Sequence, residues 1–92
     1  GRLGLIVEEA PQEVLERSGL AGGVLVREVV PGSVAAQAGV MHGDIITLIA
    51  STPVKSVSSF DKAVDRLSSG SSVPLRLMRR GSPMFIGLKL KD

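Results

Sequence analysis

The stretch "VVPGSVAAQAGVMHGDIITLI", residues 29–49, constrains the fold more than any other part of the chain. A β-branched run stops at Pro31-Gly32, which turns the chain, and Ser33 is placed to cap a short helix, "VAAQA", that Gly39 ends. Ala35, Ala36 and Ala38 project almost no side chain, so this helix can lie close against a sheet. Gly39 and Gly43 stand where the backbone needs conformations costly for other residues. "DIITLIA" then returns as an apolar strand.

The flanks continue this pattern of short elements separated by turn residues. Leu3 to Glu8 reads as a strand. Pro11 sits where a first helical turn tolerates proline, ahead of a helix from Gln12 to Arg17 with Gly19 as its stop. Gly22-Gly23 releases "VLVREVV", a strand by its β-branched content, and "STPVKSV" reads as a turn with a brief extended piece. "SSFDKAVDRLSSG" predicts the clearest helix. Ser58 or Ser59 caps it, Phe60, Ala63, Val64 and Leu67 recur at helical spacing, and Gly70 lies past its end. The tail, "VPLRLMRR" then "GSP" then "MFIGLKL", alternates apolar and polar residues around a turn and predicts a hairpin. The expected order is strand, helix, strand, short helix, strand, short strand, helix, strand, strand, which is a compact α+β domain or small capped barrel.

At 92 residues, 43% of them hydrophobic, the chain is long enough for one core. No apolar run approaches the roughly 20 residues that span a bilayer, so direct membrane insertion is not expected. Eleven Lys and Arg against nine Asp and Glu leave a net charge of +2, too little to draw a polyanion over a distance. The basic residues gather late, at Arg76, Arg79, Arg80, Lys89 and Lys91, yet Phe60 and Phe85 are the only aromatic residues. Stacking platforms for bases are therefore missing, and no nucleic-acid partner is expected.

Catalysis and metal binding fare no better. The one histidine, His42, lies two residues from Asp44 in a glycine turn, where adjacent positions point apart rather than converging on one reacting atom. Ser33 and Ser51 read as cap and turn residues. One histidine and no cysteine leave only carboxylates as metal ligands, and the Asp61-Asp65 pair, interleaved with Lys62 and Arg66, reads as a solvated helix face. Glu8-Glu9 is the other carboxylate pair. No cofactor is expected.

What remains is a binding module. The stretch at residues 29–49 resembles the core signature of PDZ domains, "PVKSVSSFDKAVDRL" resembles their groove helix, and the hairpin ending "IGLKL" resembles their closing strands. The resemblance covers residues 2–90. "RLGL" stands first and "MFIGLKL" last, the circularly permuted arrangement typical of bacterial PDZ domains, above all those of HtrA/DegP serine proteases. The pattern is most like the C-terminal, second PDZ domain of a DegP/MucD-type periplasmic protease. Site-2 proteases, tail-specific proteases and secretion-system proteins carry PDZ domains sharing much of it. The resemblance implies an α+β fold, a PDZ-like small and partly open β-barrel or sandwich of five to six strands capped by two or three helices. Residues 1–92 would be one such domain, core about 2–90, within a longer protein.

The resemblance also implies a mechanism. An extended or C-terminal hydrophobic peptide segment of a client protein would add as a strand beside Leu5, Ile6 and Val7. Its carboxylate would sit on the amides of Leu3, Gly4 and Leu5, with Arg2 beside them. Leu3, Leu5, Phe60, Val64 and Leu67 would line the hydrophobic pocket, with Ile46 at its floor, unless they are ordinary core residues. Phe60 matches the first groove-helix position, where some PDZ domains place a histidine that selects Ser or Thr two residues before the peptide's end; phenylalanine implies an apolar preference there. Val64→Glu would then abolish binding while leaving the fold intact. The chain would not be an enzyme itself. It would recruit substrates to, or regulate, a periplasmic serine endopeptidase in a Gram-negative bacterium. The alternative is a docking module that contacts other domains or protomers of that protease and sets its assembly.

Gly4, between two leucines in "GRLGLIV", packs nothing and loses the most backbone entropy on folding. The resemblance makes it the point where the backbone approaches a carboxylate, so that Gly4→Val would harm binding more than folding.

Overall fold

Period-two and period-3.6 alternation folds the chain into the expected order of elements: β1 (Leu5–Glu9), α1 (Gln12–Arg17), β2 (Val24–Val29), α2 (Val34–Ala38), β3 (Ile45–Ile49), β4 (Thr52–Pro53), α3 (Val57–Asp65), β5 (Ser72–Arg79) and β6 (Ser82–Lys89). The structure is a computed structural model describing residues 2–90, so Lys91 of the late basic group lies outside the described residues. All strand pairs are antiparallel and follow the path β1-β2-β3-β5-β6, with β4 beside β3. The sheet does not close, which leaves β1 and β6 as its two edges.

Inward-facing residues of the central strands make the core. Val24, Val26, Ile46, Ile49, Val54, Leu75, Leu77 and Leu88 are essentially without exposure, and Leu3, Phe60, Ala63 and Val64 continue the same cluster beneath α3. Helix α2 behaves as its alanines require. Ala35 is fully buried, Ser33 Oγ accepts from Ala36 N at 3.1 Å, and Gly39 ends the helix at φ 95°.

The turn after α2 is held by a buried carboxylate. Asp44, 1% exposed, accepts from Arg79 Nε at 2.8 Å and Nη2 at 2.7 Å, and also from Met41 N at 2.8 Å. Arg79 Nη2 further donates to Gly39 O. The hydrogen bond to Asp44 is the main cause that raises the Arg79 pKa above its ordinary value; burial opposes it and attraction to the same carboxylate adds to it. Arg79 is therefore a structural cation that ties β5 to the α2–β3 turn, and not a free member of a basic surface.

Four details depart from the sequence reading. The first strand runs Leu5–Glu9 rather than Leu3 to Glu8, because Gly4 at positive φ lies outside the extended conformation. Helix α3 is capped by Ser56 rather than Ser58 or Ser59. Ser56 Oγ accepts from Ser59 N while Ser59 Oγ accepts from Ser56 N, and only Ser56 has a reciprocating serine at the third helical position. The final hairpin turns at Arg80-Gly81 rather than "GSP", since Arg79 pairs with Ser82 and both turn residues have positive φ, 52° and 81°. Pro83 is then tolerated in β6 because that strand is an edge. Ala50 at φ 55° completes a similar tight turn, with Ile49 paired to Thr52.

Ala50 and Arg80 thus hold the left-handed conformation at a cost that glycine or asparagine largely avoids. Ala50→Gly and Arg80→Asn should each raise the unfolding free energy by about 1 kcal/mol in urea titrations. Asp44→Ala, which strands the Arg79 guanidinium, should lower it by about 3 kcal/mol.

Candidate functional site

Gly4 decides the shape of the segment ahead of β1. Its φ is +78°, and a Cβ there would lie 2.1 Å from Ser33 Cβ, so no other residue fits without moving the start of α2. This corrects the expectation for Gly4→Val. A valine would clash inside the fold itself, so folding suffers along with the loop. The carbonyls on either side are already tied, since Leu3 O accepts from Ala35 N at 3.0 Å and Gly4 O accepts from Val30 N at 2.8 Å. The Leu3 and Gly4 amides donate to nothing among the described residues.

The register of β1 extends this free array. Because Val30 N donates to Gly4 O, the Leu5–Val29 pair is the non-bonded kind, and Leu5 turns its N–H and C=O to the open edge. Past a bulge after Ile6, Val26 sends its N–H to Asp44 O and its carbonyl to Gly43 N, so Val7 opposite it also faces the edge. Ile6 bonds inward to β2 and exposes its side chain, 37% of it accessible. A new strand placed on this edge would meet the groups of Leu5 and Val7.

Helix α3 stands across that edge and leaves a cleft of about 400 Å³ lined by Arg2, Leu3, Leu5, Phe60, Val64, Asp61 and Asp65. The structure brings together Leu3, Leu5, Phe60 and Val64 of the expected pocket residues, and Arg2 of those expected at the carboxylate. Ile46 and Leu67 do not line the cleft: Ile46 is fully buried in the core, and Leu67 lies beyond the end of α3. Val64, 8% exposed, serves core and cleft together, so Val64→Glu would bury a carboxylate and disturb the fold as well.

Arg2 spans the mouth of the cleft. Its Nη1 donates to Val64 O and Leu67 O, both at 2.8 Å, at the carbonyl end of α3 where a cation is favoured. At the opposite end Val57 N donates to Glu9 Oε1 and Oε2 at 3.1 and 3.2 Å. Spacing alone made Asp61 and Asp65 a solvated face; they are exposed, yet they form the rim of the cleft. Their angle from Phe60 and Val64 on a helical wheel, about 100° from a groove-facing stripe, is the signal that places them there.

A second concavity of about 490 Å³ lies at the other end of the sheet, lined by Met41, His42, Gly43, Asp44, Arg79 and Arg80. Asp44, Arg79 and His42 there already have partners. Asp44 holds Arg79, and His42 Nδ1 lies 2.6 Å from Arg27 O, so the histidine and the aspartate face different partners. No relay connects them.

An edge strand, amides at a glycine turn that have no partner among the described residues, and a facing helix over an apolar cleft are what a strand-adding peptide requires. The PDZ domain family matches residues 1–90. This chain belongs to that family. A probable periplasmic serine endoprotease DegP-like from Marinomonas sp. (strain MWYL1) is 40% identical over 99% of the chain, which spans only 19% of that relative's length. Among solved structures, the HtrA-type protease AlgW with decapeptide superposes at a TM-score of 0.82, with 24% identity over 97% of this chain and 28% of that one. The HtrA3 PDZ domain bound to a phage-derived ligand (FGRWV) superposes at 0.78, with 22% identity over 95% and 81%. These two likenesses bear on the fold, which is the α+β PDZ fold with six strands and three helices.

The geometry of this PDZ domain makes a prediction without any ligand. In hydrogen exchange the amides of Leu3, Gly4, Leu5 and Val7 should exchange fast, while Ile6, between them, is protected by the ladder to β2.

Proposed function

We propose that this PDZ domain reads the C-terminal or extended hydrophobic end of a client polypeptide by adding it as a strand to β1. The amides of Leu3, Gly4 and Leu5, without a partner among the described residues beside an apolar cleft, carry this reading, since the Leu3 and Gly4 carbonyls are turned away and tied to Ala35 and Val30. The terminal carboxylate takes those amides. Arg2 keeps Nη1 on α3 and adds the charge of its remaining guanidinium donors, which have no partner among the described residues. The last side chain enters between Leu3, Leu5 and Val64, and the side chain two residues earlier meets Phe60, which neither donates nor accepts a hydrogen bond. An apolar-any-apolar-carboxylate ending fits these surfaces. Ile46 supports the pocket from the core, and Leu67, outside the cleft, holds Arg2 through its carbonyl.

In the parent protein, residues 1–92 act on this proposal as one PDZ module of a periplasmic HtrA/DegP-type serine endopeptidase, delivering unfolded or tail-bearing clients to the protease domain. Relatives of that name, of which this chain matches about a fifth, support the placement. A second reading, a docking module that contacts other domains or protomers, is favoured by Phe85 on edge strand β6, 74% exposed beside Arg76.

The two readings part on one chemical change. Peptides ending in a free carboxylate should bind at roughly micromolar affinity, about 8 kcal/mol, and lose at least tenfold when the same end is amidated. Indifference to the amide defeats tail reading and favours docking. Because Asp61 and Asp65 repel a carboxylate, Asp61→Asn with Asp65→Asn should tighten free-acid peptides about threefold at low salt, an effect that fades as salt is added.

A further inference from the structure

Strand β1 and helix α3 run antiparallel, and two side-chain straps join them. Arg2, ahead of β1, grips the carbonyls of Val64 and Leu67 at the far end of α3, and Glu9, the last residue of β1, grips the Val57 amide at its start. Between the straps, no hydrogen bond or ion pair crosses from β1 to α3 among the described residues. Apolar packing of Leu3, Leu5, Phe60 and Val64 lies there, which carries no directional bond between strand and helix. Each strap also has the sign that suits its end of the helix, a cation on the carbonyls and an anion on the amide.

We propose that Arg2 and Glu9 are positioning residues that gauge the groove, each setting the width of one subsite. The inference rests on the tail-reading proposal above. Arg2 holds the carbonyl of Val64 itself, the residue that walls the pocket for the last side chain. It therefore sets how far Val64 stands from Leu5, and with it the size of that pocket. Glu9 holds Val57, three residues before Phe60, and so sets where Phe60 meets the side chain two residues from the end. The straps act at opposite ends of a rigid helix, and loosening one pivots α3 about the other. The size selectivity of the two subsites is then separable, the last position answering to Arg2 and the earlier one to Glu9.

The test uses this 92-residue chain and two sets of free-acid peptides. One set varies only the last residue among Ala, Val and Phe, and the other varies only the residue two before it in the same way. Affinities are measured calorimetrically for the wild type, Arg2→Met, Glu9→Ala and Glu9→Gln, after circular dichroism shows each to be folded. Arg2→Met should shift the Phe-to-Ala affinity ratio at the last position about fivefold toward the larger side chain, leaving the ratio at the earlier position within about twofold. Glu9→Ala should do the reverse. Glu9→Gln, whose amide oxygen can still accept from Val57 N, should restore wild-type ratios. A uniform loss for all peptides with both ratios unchanged overturns the inference alone, because Arg2 and Glu9 would then act only through charge or stability. If no free-acid peptide binds the wild type, tail reading itself fails and the inference falls with it.

Discussion

The close approach of Gly4 to Ser33 governs the groove. Helix α2 is capped by Ser33 and built of alanines, so it settles low against the sheet, and the segment before β1 must pass where a Cβ would collide with it. Only glycine passes, and only with positive φ. That conformation turns the carbonyls of Leu3 and Gly4 toward Ala35 and Val30, while their amides donate to nothing among the described residues. The donor array is thus a by-product of how α2 packs. The same residues that build the fold aim the amides.

The opposite end of the sheet is rigid for a different reason. Asp44 gathers Arg79 and the Met41 amide into one buried network, which locks the α2–β3 turn to the last hairpin. Desolvating the two charges offsets much of their attraction, while the hydrogen bonds fix where the turn is held. Its value to the groove is indirect: β3 and β5 form a fixed floor, and α3 lies over it. Where β1 faces α3, the core continues through Leu3, Phe60 and Val64, and the directional bonds among the described residues are those of Arg2 and Glu9.

Much of this was legible beforehand. The Pro-Gly-Ser turn, the alanine helix and Gly39 specify their own geometry, so local chemistry sufficed for α2, and period-two alternation sufficed for the sheet. The serine run before Phe60 was ambiguous because every serine there can cap, and only reciprocal bonding between Ser56 and Ser59 decides among them. Leu3, Leu5, Phe60 and Val64 were found by spacing and resemblance. Ile46 was drawn into the pocket because strand alternation shows which face a residue takes but not how deep it lies. Arg2 is read from the resemblance as a neighbour of the carboxylate, but its hold on α3 and that of Glu9 escape for a plainer reason. Their partners are backbone groups of a helix 48 to 65 residues away, and nothing in a side-chain pattern reports a bond to a distant carbonyl or amide.

The central claim is that the outward amides of Leu3, Gly4 and Leu5 receive a chain-end carboxylate. Amide-resolved NMR during titration with an apolar-ended free-acid peptide tests it most directly. The account predicts downfield shifts concentrated on those three amide protons, with Val7 following as β1 gains a partner strand. Shifts confined to the Met41–Arg80 concavity or to the β6 edge, with the Leu3, Gly4 and Leu5 amides unmoved, would contradict it.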